Sequence, residues 1–87
     1  MITGKTESGF EFELEDEAFD DYELLETLKK VDDGDYGLVT DMVDRLLGEE
    51  QKKKLKEHVR DQNGRVKTSI ILAEVMEIFK SSKKGKN

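Results

Sequence analysis

Phe10, Phe12 and Leu14 alternate with Glu11, Glu13 and Glu15. A period of two marks a strand with one buried face, and here the other face is acidic. Upstream, Gly4 to Gly9 reads as a turn and Ile2-Thr3 as a short partner strand. The N-terminus is therefore expected to form a β-hairpin. Two strands alone are marginal in water, so the hairpin needs helices or another partner to pack on.

The period then lengthens. Leu24, Leu25, Leu28 and Val31 share one face of a helix that Asp20 or Asp21 opens. Acids crowd its first turns and Lys29-Lys30 its last, which suits the helix dipole. Asp32-Asp33-Gly34 stops it, with Gly34 supplying the positive φ of a C-terminal cap. Asp35 is placed to cap the next helix. Val39, Met42, Val43, Leu46 and Leu47 give that helix the cleanest amphipathic pattern in the chain, and Gly48 ends or kinks it. Residues 49–61 read as a weaker surface helix with Leu55 and Val59 apolar. Asn63-Gly64 breaks the pattern. Thr68 or Ser69 is expected to cap a last helix reaching about residue 81. In that helix Ile70, Glu74, Glu77 and Ser81 form one stripe. The apolar arc around the rest is wider than a surface helix needs. Such a helix forms the centre of the core or is partly exposed for a partner. The expected fold is mainly α: a short N-terminal β-hairpin followed by about four helices. It makes one domain, 1–82, with a flexible tail at 83–87.

Composition constrains this picture. The chain has 87 residues, 34% of them apolar, and no Cys, Pro or Trp. A core of this size supplies only about 3–5 kcal/mol. Disulfides cannot reinforce it. Packing against copies of itself or against a partner is the expected remedy. No run approaches the roughly 20 apolar residues of a membrane span, and the N-terminus has no apolar leader. A soluble cytoplasmic protein is expected. Residues 1–48 hold 15 acids and 4 bases, whereas 49–87 hold 6 acids and 11 bases. The overall charge of −6 argues against a general nucleic-acid binder. The asymmetry could steer the front of one molecule onto the back of another. It is equally the pattern of two solvated faces.

Candidate chemistry is sparse. Asp61, Asn63 and Gly64 resemble part of an EF-hand loop, which needs oxygen ligands at positions 1, 3, 5 and 12 with Gly at 6. Aligning Gly64 to position 6 puts Val59 at 1 and Ile70 at 12, and neither side chain binds a cation. A turn between two helices accounts for the same residues. Asp32-Asp33-Gly34-Asp35 fails likewise: counted from Asp32, position 12 is Val43, and counted from Asp33 it is Asp44, with Leu38 where the glycine must stand. His58 is the single histidine, and without Cys or a second His it cannot complete a typical zinc site. No phosphate-binding glycine loop occurs. The lysines at 52–54 and 56 carry no interleaved aromatics for base stacking. No catalytic residue, metal or cofactor is therefore expected. Two classes of function remain. One is a helical interaction module that self-assembles or acts as a chaperone. The other is a small nucleic-acid-binding or regulatory domain using the basic second half.

Several stretches carry a resemblance: I-T-G-K-T-E-S-G-F-E-F-E at 2–13, Y-E-L-L-E-T-L at 22–28, L-L-G-E-E-Q at 46–51 and L-K-E-H-V-R-D-Q-N-G-R-V-K-T-S at 55–69, with E-I-F at 77–79. Nearly end to end, the chain resembles the small tail assembly chaperones of long-tailed bacteriophages and prophages, especially those of Gram-positive hosts. The resemblance implies a mostly helical, non-catalytic protein of the bacterial host cytoplasm. It implies binding to the tape measure protein, which is kept soluble, and recruitment of tail tube protein. It further implies departure before the virion is mature. Family members commonly exist in two lengths, and some are thought to assemble as spirals. A homo-oligomer, possible as a head-to-tail spiral, is compatible with the charge asymmetry, since a heterologous contact need not close. The expected partner-contacting residues are Phe10 and Phe12 of the hairpin and Ile71, Val75, Ile78 and Phe79 of the last helix. Core packing is the competing role for each.

Overall fold

The computed structural model describes residues 1–85. Strand β1 (Ile2–Lys5) pairs antiparallel with β2 (Glu11–Leu14), with Gly4 opposite Phe12. Helix α1 (Tyr22–Asp32) follows, then a 3-10 turn at Tyr36–Leu38, helix α2 (Val39–Val59) and helix α3 (Thr68–Gly85). No helix among the described residues is long and apolar enough to cross a membrane.

The alternation in β2 is realised as expected. Phe12 and Leu14 are buried, and the glutamates between them face out. Gly4 is part of the reason. A Cβ there would stand 2.5 Å from the Phe12 ring, so only a glycine lets the buried ring lie across β1. The edge of β2 is closed by a side chain of α2. Gln51 Oε1 accepts from the Glu13 amide at 2.7 Å, and Gln51 Nε2 donates to the Glu13 carbonyl at 2.6 Å. One carboxamide thus stands in for a third strand.

Asp21 opens α1, accepting from the Leu24 amide at 3.1 Å. The C-terminus ends with paired bonds, Gly34 N to the Val31 carbonyl and Asp35 N to the Lys30 carbonyl, with Gly34 at φ 110°. This is the double-bonded cap that Asp-Gly after a helix favours. Asp35 departs from expectation. Its side chain makes no capping bond, and the chain turns into α2 through the 3-10 segment.

The helices number three rather than about four. The expected separate helix at 49–61 is the second half of α2. No loop intervenes, because two helical stretches meet at a kink with a single non-helical residue, Gly48, at φ 80° and ψ 166°. That backbone region is essentially open to glycine alone. The break swings the second half so that Leu55 enters the core, while Lys52 reaches back across it to Asp44 at 3.0 Å. Thr68 and Ser69 lie inside the first turn of α3 rather than capping it. The Lys67 carbonyl receives the Ile70 and Ile71 amides, so the helix begins one residue earlier than a Thr or Ser cap requires. The helix also continues beyond residue 81 to Gly85. Of the expected tail, residues 86–87 lie outside the described residues.

The core gathers Phe10, Phe12 and Leu14 from the hairpin and Leu24 and Val31 from α1. Both halves of α2 and one face of α3 complete it. Arg45 of α2 holds the start of α1, with Nε 2.9 Å from Asp21 and Nη2 2.5 Å from Glu23.

Two outcomes follow from these joints. Gly48→Ala forces an ordinary residue into glycine-only backbone and is expected to cost about 1–3 kcal/mol in denaturant unfolding. An unchanged or raised stability would mean that the break is not required. The Leu24 amide, followed by the Arg45 guanidinium, holds the Asp21 carboxyl below its ordinary pKa. A depressed carboxylate adds stability at pH values above its unfolded pKa and loses it as pH falls through the folded one. Asp21→Asn should therefore flatten the acid limb of the melting-temperature profile. An acid limb of unchanged slope would remove Asp21 from that account.

Candidate functional site

The structure presents two places where side chains converge: a polar junction under the hairpin turn and an apolar groove between α1 and α3.

At the junction, Thr6 is buried and its hydroxyl donates to Glu74 Oε1 at 2.8 Å. The Thr6 oxygen also accepts from the Phe10 amide at 3.2 Å. The Ser8 hydroxyl donates to Glu74 Oε2 at 2.8 Å. His58 Nε2 lies 3.1 Å from both the Ser8 hydroxyl and the Ser8 carbonyl oxygen. One residue along, Glu77 Oε1 accepts from the Glu7 amide at 2.6 Å. Glu74 is only 5% exposed, so both of its oxygens need donors, and the turn supplies them.

Ser, His and Glu within reach of one another invite comparison with a catalytic triad, but the wiring differs. In a triad the carboxylate orients the histidine and the histidine takes the serine proton. Here the carboxylate takes the serine hydroxyl directly. Three nearby amides are already committed: Glu7 to Glu77, Gly9 to the Thr6 carbonyl, and Phe10 to the Thr6 hydroxyl. None of these is left to stabilise an oxyanion. The arrangement fastens the hairpin to α2 and α3.

The Asp61 loop is similarly self-contained. Asp61 Oδ1 accepts from the Asn63 amide at 2.9 Å and the Arg65 amide at 3.0 Å. The Arg65 amide, more than that of Asn63, keeps its carboxyl below the ordinary pKa. Arg60 donates to the Gly64 carbonyl at 2.8 Å and pairs with Glu57. These groups close a turn between α2 and α3.

The groove has a different character. The buried stripe of α3 is Ile71, Val75 and Ile78, with Glu74 beside it under the hairpin. At 100° per residue, Leu72, Met76 and Phe79 fall about 100° further round the helix. They face α1, where Leu25 and Leu28 stand opposite. Leu25, Leu28, Val31, Leu72 and Met76 line a groove of about 560 Å³. Leu25 is 59% exposed and Met76 40%. At one end it meets the half-buried pair Phe19 and Phe79, packed edge to face at 5.3 Å, with Tyr22 exposed beside them.

Of the residues expected to meet a partner, Phe10, Phe12, Ile71, Val75 and Ile78 are buried in the core. Phe79 alone borders open apolar surface. Of the groove's residues, Leu72 and Met76 were legible only as a surplus of apolar positions, whereas Leu25, expected on one face with Leu24, Leu28 and Val31, is exposed beside that face. Thr6, Ser8, His58 and Glu74 were not singled out as a group. The available signal was Glu74 itself, an acid set among Ile71, Val75 and Ile78.

Thr6→Val removes a hydroxyl that bonds both Glu74 and the Phe10 amide. It is expected to cost about 1–3 kcal/mol and to speed hydrogen exchange at the Phe10 amide. A variant with unchanged stability and exchange would show that the junction does not hold the hairpin. Compared with family models, curated proteins and solved structures, the chain has no match.

Proposed function

We propose that this protein is a non-catalytic tail assembly chaperone. It binds the tape measure protein, keeps it soluble, promotes assembly of the tail tube and self-associates. The resemblance of residues 2–13, 22–28, 46–51 and 55–69 to that family motivates the reading.

One structural observation supports it. In a chain with 41% charged residues, large apolar side chains remain on the surface, among them Leu25, Met76 and Tyr22, and several gather along one groove. A contiguous exposed apolar surface marks a place for a partner. A helical client that aggregates when alone has apolar stripes to cover. Such a surface covers them without any chemical step.

The alternative, a nucleic-acid-binding domain using the basic second half, draws less support. The overall charge is −6, and the lysines at 52–54 and 56 carry no interleaved aromatics on which bases could stack.

The test is co-expression with the tape measure protein of the same phage, followed by solubility and pull-down assays. The client is expected to turn soluble and to co-purify. An insoluble client with nothing captured would end the chaperone reading.

A further inference from the structure

Resting on the chaperone reading, we propose that the groove between α1 and α3 seats one amphipathic helix of the client, with an apolar stripe flanked by lysines or arginines.

The shape of the groove argues for a helix. Among the described residues no Cα of α1 lies within 8 Å of a Cα of α3. Helices in direct contact pack with their axes 8–10 Å apart, which brings some Cα atoms closer than that. Here the two helices stand apart and leave a channel. Tyr22, Leu25 and Leu28 recur at helical spacing along one wall, and Leu72, Met76 and Phe79 along the other. From residue 22 to residue 32, a wall at 1.5 Å per residue is about 15 Å long, close to three helical turns. An occupant with apolar residues at i, i+3 or i+4, and i+7 would meet both walls, as helix-in-groove recognition requires.

Charge argues for basic flanks. Residues 20–33, which include the α1 wall, carry six acids and two bases. Arg45 takes up Asp21 and Glu23, and Lys29 takes up Asp33. Asp20, Glu26 and Asp32 make no ion pair among the described residues, and neither does Lys30, which leaves three free acids against one free base. The α3 wall adds no free acid: Glu74 and Glu77 turn to the hairpin, and the bases of the helix, Lys80, Lys83 and Lys84, fall in its last turns. A helix with lysines or arginines beside its apolar stripe meets opposite charge along the α1 rim. One with acidic flanks meets like charge.

The probe is a labelled synthetic peptide of about 18 residues, long enough to form a helix on binding. It carries leucines at i, i+3, i+4 and i+7 and lysines elsewhere. A control peptide carries glutamate in place of each lysine. Fluorescence anisotropy with the full chain should show saturable binding of the lysine peptide, weakened by salt as surface charge attraction requires. The glutamate peptide should bind at least about tenfold more weakly. Leu25→Asp and Met76→Asp should each reduce binding at least about tenfold, as expected for charge placed in an apolar contact. Both side chains are exposed, so both variants should keep the helical circular dichroism and melting temperature of the parent. Leu25→Lys, which removes apolar surface without adding an acid, supplies a second readout of the same site.

Equal binding of the two peptides overturns the basic flanks. Binding unchanged in folded Leu25 and Met76 variants overturns the groove. Self-association that Leu25→Asp abolishes, with no peptide bound by the parent, assigns the groove to a second copy and overturns the proposal. Capture of the tape measure protein by the parent and equally by the variants removes the groove and leaves the chaperone reading standing. Peptide binding in the groove without client capture removes the chaperone reading and leaves a seat for a basic helix.

Discussion

The buried carboxylate of Glu74 is the interaction on which the rest of the molecule depends. A two-stranded hairpin does not hold its shape in water. This one nevertheless supplies Phe10, Phe12 and Leu14 to the core. It stays in place because its turn is tied to α3 through Thr6 and Ser8, to α2 through His58, and along its edge through Gln51. The dependence runs both ways. Glu74 can lie in the core only because two hydroxyls meet its oxygens, and those hydroxyls are placed by the turn. Loss of either partner strands the other, which is why a buried polar group without its donor costs more than the bond contributes when made.

This mutual dependence also explains what the sequence could and could not disclose. Features written in neighbouring residues were legible. The alternation of β2, the Asp21 cap, the Gly34 stop and the amphipathic start of α2 each need only a few consecutive positions. The junction was not legible, because Thr6 and Glu74 are 68 residues apart and neither carries a local pattern naming the other. Gly48 was read as an end or a kink, and the local pattern does not distinguish the two. The structure shows a kink, since helical residues flank Gly48 on both sides. Thr68 and Ser69 look like caps by type, yet the Lys67 carbonyl already occupies that place, so position rather than residue type decided.

The wide apolar arc of the last helix had two readings, and the structure contains both. Ile71, Val75 and Ile78 make the core face, while Leu72, Met76 and Phe79 are left facing α1 across a gap. The surplus was visible in the sequence. Which third of the arc would be left over was not, because that depends on where α1 lies.

The position of α1 is set at both ends, and this keeps the groove open. Arg45 binds Asp21 and Glu23 at its start. At its end the Gly34 cap and the 3-10 turn lead directly into α2, leaving only Asp33 to Asp35 outside helical turns. A helix fastened to α2 at one end and joined to it at the other by six residues, half of them in a 3-10 turn, has little freedom to swing onto α3. Swinging α1 onto α3 would bury Leu25 and Met76, but would pull Asp21 and Glu23 away from Arg45. The exposed apolar surface is a consequence of how α1 is tethered, and a helix from another chain can cover it without disturbing either tether.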